Sequence, residues 1–541
     1  MLKKSLAMLI ALLMLLLAIP AATFAASGGD ALEEYTFTHY FDYDWWDVAK
    51  LQWGVDEASK YFKEKFNINV IFTKPDADAN ARRATMIQSG DLPDSIMMDR
   101  GVNNKGMAQL GLFVPLEQFF DRHTWFQDNV LESTREMLKV EGELYGIPNW
   151  SRKAASGGNE AWMYSRRIWE DLGSPEFNTL EDIHAFLLAA KELGVNREGL
   201  EIIPVAFGRS PEGQFPAAHL IRSFGGYIDW WYTVIDGQFR LAFRDDTFKE
   251  VSMTLNQWYR EGLILDTYFT DSEEQTQEKR VSGRVAGLLY DFSQDDTNQF
   301  MTILENTFPG DSYDFMNEDC IYPPVSGLSY DDVMYNINST VGWNVTCITT
   351  SAEKPERIYD LWTFFLTQEA ARIQQFGPPG QGLYDDIDDY GNPILLHSIA
   401  QIDEEEYNRL GLWFWMIPGQ SDNVDIMKFS VNEAAPPEEQ AYIAHMQYKV
   451  FTPKMPLSDE LVGVRDVLDP TSDEQYNRRL CEDYIAERYP MLIMAPTAEE
   501  AEAIYAEILA FCDDNGMPEI EELFDAKYQE NVATQGFSIF K

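Results

Sequence analysis

Cysteine is scarce in this chain: Cys320, Cys347, Cys481 and Cys512 are the only four in 541 residues, far apart and without a CxxC pair. That spacing excludes a zinc ribbon and a disulfide-dense scaffold. The six histidines (His39, His123, His184, His219, His397 and His445) are scattered, and neither HxxxH nor HExxH occurs, so nothing marks a zinc hydrolase. GxSxG, a P-loop and a GxGxxG following a strand are also missing. Positive charge is sparse, with 42 Lys and Arg against 89 Asp and Glu, a formal net charge of −47. Such a surface repels nucleic acid and anionic membrane alike, and it disfavours an anionic substrate unless a local basic pocket overrides the average. Beyond the N-terminus no apolar run is long enough to span a bilayer.

What is present is ample apolar material, 45% of the residues, enough for two or three domains at ~100–200 residues each. At the N-terminus Lys3 and Lys4 precede the apolar run Leu6–Ile19, and Ala21–Ala26 offers small residues. Residues 1–25 therefore read as a signal peptide cleaved after Ala25, with an exported mature chain.

The stretch Leu144–Gly173, LYGIPNWSRKAASGGNEAWMYSRRIWEDLG, organises the rest. Pro148 biases Ile147 toward strand. Gly157, Gly158 and Asn159 form a loop, Ala161–Tyr164 reads as a strand, and Ser165 caps a helix that Gly173 stops. A segment that leaves one sheet and starts another joins two lobes. Trp150, Asn159, Glu160, Trp162 and Tyr164 lie at that crossing, and flat rings beside amides and a carboxylate suit a sugar's C–H faces and hydroxyls.

Before this stretch the pattern is strand, helix, strand, helix, strand: Tyr35–Tyr40, Val48–Phe66, Ile68–Phe72, Ala79–Gln88, Ser95–Met98. That is the pattern of an open parallel sheet, whose ligands bind beyond the carboxyl ends of the strands, where the Phe41–Trp46 loop and the Asp99 turn fall. After it come a helix over Leu180–Leu193, a strand over Ile202–Phe207, an amphipathic helix over Phe248–Glu261 and a buried strand ending in Tyr290 and Asp291. Tyr322–Val325 reads as a second crossover, Gly342–Thr346 as a strand and Gly377–Gly382 as a further crossing; beyond Pro437 the chain is mostly helical.

Four strings, SGDLPDSIMMD, GLFVPLEQF, GELYGIPNW and the closing KYQENV, resemble in order and spacing the extracellular solute-binding proteins, family 1, of ABC-type carbohydrate importers. The likeness is to the long Gram-positive oligosaccharide-binding lipoprotein subgroup. The resemblance implies an α/β fold of the type II periplasmic-binding-protein kind, with two doubly wound lobes joined by a multi-strand hinge and a helical C-terminal extension. It implies residues 26–148 plus about 325–380 in lobe 1, and 149–324 plus about 381–541 in lobe 2. It also implies an oligosaccharide ligand, ABC permease transmembrane subunits as partners, a monomer, no nucleic acid, no cofactor and no catalysis. One departure concerns location: TFAASGGD lacks the cysteine that a lipid anchor requires, so the chain is extracytoplasmic without that handle. Some relatives carry a calcium loop before the second-lobe strand. Here Gly194–Pro204 keeps Asn196, Glu198 and Glu201 but lacks an oxygen at every second position, so no metal is expected. An exported chain could join Cys320 to Cys347, or keep free buried thiols.

The expected binding set is Trp45, Trp46, Asp99, Trp150, Asn159, Glu160, Trp162, Tyr164, Trp230, Tyr290, Asp291, Trp343 and Trp413. Each tryptophan taken alone could be core packing, and each carboxylate a solvated surface group. Adjacent pairs, Trp45–Trp46 and Trp230–Trp231, cannot both face one way if extended, so at most one of each lines a cleft. Arg152 is placed to stack on or pair with a ligand. Two other readings share these residues: a secreted carbohydrate-active enzyme using a carboxylate pair, and a sugar-sensing ectodomain.

Overall fold

The computed structural model describes residues 32–154, 160–207, 215–291, 294–317, 322–397, 402–415, 417–436 and 440–540. The expected leader, Asn159 and Cys320 lie outside these. Ten strands build two main sheets. They are β1 (Tyr35–Phe41), β2 (Ile68–Thr73), β3 (Ser95–Asp99), β4 (Gly146–Ser151), β5 (Glu160–Ser165), β6 (Ile203–Phe207), β7 (Val285–Asp291), β8 (Tyr313–Phe315), β9 (Asn344–Ile348) and β10 (Gly419–Gln420). The first sheet has the order β10-β4-β9-β3-β1-β2, and the second β8-β5-β7-β6. β1 runs parallel to β2 and β3, while β9 is antiparallel to both β3 and β4. In the second sheet β7 is parallel to β6 and antiparallel to β5.

Local chemistry explains most of these elements. In β3 the residues Ser95–Met98 are all buried, as a central strand covered on both faces must be. The helix Glu57–Phe66 begins at Asp56, whose carboxylate accepts from the Ser59 amide at 2.8 Å. The helix Leu180–Leu193 opens with a capping box between Thr179 and Asp182, and its Ile183, Leu187 and Ala190 face the second core. Each lobe has its own apolar core. The first gathers Phe37, Ile96, Ile147, Val345, Trp362 and Phe365, and the second Trp162, Val205, Leu255, Leu288 and Tyr489. Because β9 and Tyr322 come from one late segment yet pack into different lobes, both lobes are discontinuous in sequence.

The helical C-terminal part packs on lobe 2, as expected. Asp473–Ile493, Ala498–Asp514 and Met517–Gln535 form a layer whose Tyr489 meets Trp231 edge-on at 5.3 Å. The buried Asn256 amide ties this layer down by donating to the carbonyls of Leu492, Ile493 and Ala495.

Two expectations need correction. Gly377–Gly382 is not a crossing: Phe376, Leu383 and Tyr384 form a small core with Leu410, Leu412 and Met427. The lobe boundary near 381 is displaced with it. Trp415 and Ile417 enter the first core, and β10 pairs with β4, placing Gly419 opposite Asn149. The chain joins the second core only around Met446 and Phe451. A glycine cluster signals a turn, and the direction taken after a turn is set by distant packing. Of the two cysteine states left open, Cys347, Cys481 and Cys512 are buried free thiols, and Cys320 lies outside the described residues. Among the described residues no helix is long and apolar enough to cross a membrane.

The tightest contact in the hinge is between Gly342, just before β9, and the end of β4. A Cβ on Gly342 would lie 1.5 Å from the Asn149 carbonyl oxygen and within 3.0 Å of Trp150 carbonyl carbon. Gly342→Ala must therefore push β4 and β9 apart, and we expect a loss of ~2 kcal/mol or more in chemical denaturation. An unchanged unfolding midpoint would refute this account of the hinge.

Candidate functional site

The lobe 1 wall is built where β1 and β3 end. The Asp42 amide bonds to the Met97 carbonyl at 2.9 Å, which pins the following loop against β3. Tyr43 then donates its hydroxyl to Asp99 at 2.8 Å. Its ring lies 5.1 Å from Trp45, 5.8 Å from Trp46 and 5.5 Å from Trp343. Trp45 and Trp343 stack at 6.3 Å with 27° between planes, and both open to solvent, at 58% and 43% exposure. Trp46 instead turns inward and stacks on Phe41 at 4.9 Å. Trp343 is placed by β9, whose register sets Asn344 opposite Asp99, and its carbonyl accepts from the Arg100 amide. The result is an aromatic shelf beside a carboxylate.

On lobe 2 Trp230 is 38% exposed, while its neighbour Trp231 is only 1% exposed in the core. Asp229 and Tyr232 exchange two backbone hydrogen bonds, closing the tight turn that holds Trp230 at φ 64°. Arg465 clamps Asp229 with two nitrogens, at 3.0 and 3.3 Å, and lies 6.0 Å from the Trp230 ring centre. Arg100 of lobe 1 reaches Asp466 of lobe 2 at 3.8 Å, so the two walls meet in an ionic chain. A pocket lined by Arg100, Tyr227, Asp229, Ser339, Ser458 and Arg465 opens there between the lobes.

A third group sits where β4 becomes the first crossing. Trp150 and Trp413 pack together against Ala371 and Val424. Both have left-handed backbones, at φ 59° and 65°. Lys428 lies 3.4 Å above the Trp413 ring. Among the described residues, three of the seven non-glycine positions with positive φ are thus Trp150, Trp230 and Trp413. Bulky residues adopt this region only at a cost, and such strain clusters at ligand clamps.

The remaining expected residues fall differently. Trp162 is 1% exposed and meets Tyr322 edge-on at 5.6 Å, so it is a packing residue of lobe 2 and not part of the open surface. Tyr164 also packs inward, 5.2 Å from Trp169 and 5.3 Å from Phe177. β5 is an interior strand buried on both faces, with Met163 as enclosed as Trp162, so neither face opens to a cleft there. Glu160 and Asp291 are cross-strand partners in β5 and β7, and Tyr290 lies opposite Ala161, all at the strand ends where β7 stops. Arg152 is largely enclosed, with its amide on the Thr340 carbonyl and Asp425 and Asp422 supplying the nearby negative charge. In the Gly194–Pro204 loop Asn196 spends its side-chain oxygen on the amides of Glu198 and Leu200, and Glu198 pairs with Arg167 at 2.5 Å. Sequence reading missed Tyr43, Arg465 and Lys428. Tyr43 was signalled by its place in the aromatic loop, whereas the other two come from distant C-terminal segments with no local mark.

Electrostatics separate the carboxylates. Asp99 meets solvent, yet the crowded wall pushes its pKa up, with the Tyr43 hydroxyl opposing. Burial pushes Asp42 up to about 6 despite its ion pair with Arg83. Burial works against the Arg465 charge, but Asp229, Glu482 and Asp466 more than offset it.

No family profile matches the chain. A curated relative, the fructooligosaccharide ABC transporter substrate-binding protein FusA of Streptococcus pneumoniae serotype 4 (strain ATCC BAA-334 / TIGR4), is 25% identical over 217 residues. The match spans 37% of this chain and 40% of that protein, less than half the length of the relative. Among solved structures, the alginate-binding protein AlgQ2 without calcium ion aligns with a TM-score of 0.66 and 17% identity, over 92% of this chain and 99% of that one. A human-milk-oligosaccharide (HMO) binding, ABC-transporter-associated solute-binding protein from Bifidobacterium longum infantis ATCC 15697 aligns at 0.64 and 15%, over 92% and 99%. FusA of Streptococcus pneumoniae in complex with kestose aligns at 0.63 and 15%, over 92% and 100%. The chain shares their two-lobed type II periplasmic-binding-protein fold.

Asp42 gives a pH test of the lobe 1 wall. Its folded pKa lies above the ordinary carboxylate value, so the folded protein holds a proton there that the unfolded chain has released. That contribution to stability is full below about 4 and is lost as pH rises through about 6. Denaturation at pH about 4 and about 7 should show this loss in the wild type, on the order of 1–2 kcal/mol, and Asp42→Asn should lack it. Parallel pH profiles for the two proteins would remove Asp42 from the account.

Proposed function

We propose that this chain is the extracytoplasmic substrate-binding protein of a carbohydrate ABC importer. It captures an oligosaccharide between its lobes and delivers it to the transmembrane subunits of a permease. The observation that carries this reading is the solvent-open aromatic groups, Trp45 and Trp343 with Tyr43 on lobe 1 and Trp230 on lobe 2, with Trp150 and Trp413 at the crossing. Flat rings with carboxylates beside them bind the C–H faces and hydroxyls of a sugar. The shared fold and the partial match to a fructooligosaccharide-binding relative support the same reading.

The mechanism is a population shift. A glycan that touches both walls binds the closed arrangement more tightly than the open one, and the permease reads the difference. No bond in the ligand is broken and no cofactor takes part. The protein acts as an exported monomer, and its charge of −47 keeps it off nucleic acid.

Tryptophan fluorescence against a panel of oligosaccharides tests this directly. We expect a saturable response to at least one glycan, with that glycan recovered intact by mass. Trp45→Ala and Trp343→Ala should each weaken it by roughly tenfold. Recovery of fragments would replace the receptor reading with an enzyme, and silence toward every glycan would sink the carbohydrate assignment.

A further inference from the structure

Taking the carbohydrate-capture reading as its premise, we infer that the ligand is a neutral oligosaccharide and that uronic-acid glycans are refused. A carboxylated sugar is recognised by a cation with donors to spare, most effectively a guanidinium that can present two parallel N–H groups. Among the described residues at the cleft, the cations already hold partners within the protein. Arg152, beside Trp150, has the charges of Asp425 and Asp422 next to it. Arg465 commits Nε and Nη2 to Asp229. Arg100 donates Nε to the Gly342 carbonyl at 2.8 Å and faces Asp466 with Nη1. Lys428 lies over the Trp413 ring and is balanced by the buried Asp425.

The free capacity at this cleft is of the opposite kind. Asp99 is open to solvent and takes one hydrogen bond, from Tyr43, while a carboxylate has room for several donors. Hydroxyls supply donors, and a second carboxylate supplies only repulsion. Asp99, Asp229 and Asp466 lie near Arg83, Arg100 and Arg465, and Arg83 is itself paired with Asp42, so four carboxylates outnumber three cations. Neutral rings stacked on Trp45, Trp343 and Trp230 satisfy this charge pattern.

Calorimetry on the full mature chain decides the matter, using neutral fructo-, gluco- and manno-oligosaccharides beside alginate and galacturonate oligomers of matched length. The expected result is saturable binding of a neutral glycan whose affinity changes less than about twofold between about 0.02 and 0.3 M salt. Each uronate should bind at least roughly tenfold more weakly. Asp229→Asn releases the Arg465 fork, so uronate affinity should rise in that variant and fall again with salt. A uronate that binds the wild type more tightly than its neutral counterpart, and weakens as salt is added, overturns the inference while leaving the receptor reading intact. Absence of binding to both sets overturns the receptor reading itself. Should Asp229→Asn fail to fold, the wild-type ratio and its salt dependence decide alone.

Discussion

The insertion of β9 between β3 and β4 is the constraint on which the rest of the molecule depends. One residue, Asn344, lies opposite Asp99 on one side and Asn149 on the other. That register puts Trp343 beside Trp45, sets Asp99 at the edge of the shelf, and drives Gly342 under the Asn149 carbonyl where the chain leaves for lobe 2. A slip by one residue would send Trp343 to the opposite face and separate the shelf from the hinge. The binding wall and the crossing are thus one backbone arrangement.

Backbone strain is concentrated where that arrangement meets the cleft. Trp150, Trp230 and Trp413 each accept a left-handed conformation that costs about 1–3 kcal/mol for a non-glycine residue. Each is held there by something specific. Asn149 accepts from the Trp150 amide at 3.0 Å, the Asp229–Tyr232 exchange holds Trp230, and the Gln374 carbonyl takes the Trp413 amide at 2.8 Å. The protein sets these rings in place before any ligand arrives, so less ordering remains to oppose binding.

Charge is handled differently on the surface and in the cleft. The exterior is uniformly acidic, which serves solubility. Inside, the few arginines are matched to aspartates across and within the lobes, as in Arg100–Asp466 and Arg465–Asp229. These links are partly screened and individually weak, so they position Trp230 and the lobe 2 wall more than they stabilise the fold.

The order of the first three strands, the capping of the helices at Thr179 and Ser165, the crossover at Leu144–Gly173 and the helical C-terminal layer were all legible in the chain, because each rests on interactions a few residues apart. The one-in, one-out placement of Trp230 and Trp231 was also anticipated, although a tight turn with Trp230 at φ 64°, and not extended backbone, produces it. That β5 is buried on both faces was not legible: Trp162 and Met163, adjacent and so on opposite sides, are each 1% exposed, and packing against Tyr322, Trp169 and Phe177 encloses Trp162 and Tyr164. Nor could local pattern say that Gly419–Gln420 would return to β4, that Arg465 would come to lie beside Trp230 far away in sequence, or that Lys428 would fold back over Trp413. The amino-acid sequence by itself determined two α/β lobes, a crossover and an excess of aromatic and acidic residues, since periodicity, caps and composition are local properties. Only the tertiary structure decided which of those residues share a cleft, because burial and charge pairing are settled between segments hundreds of residues apart.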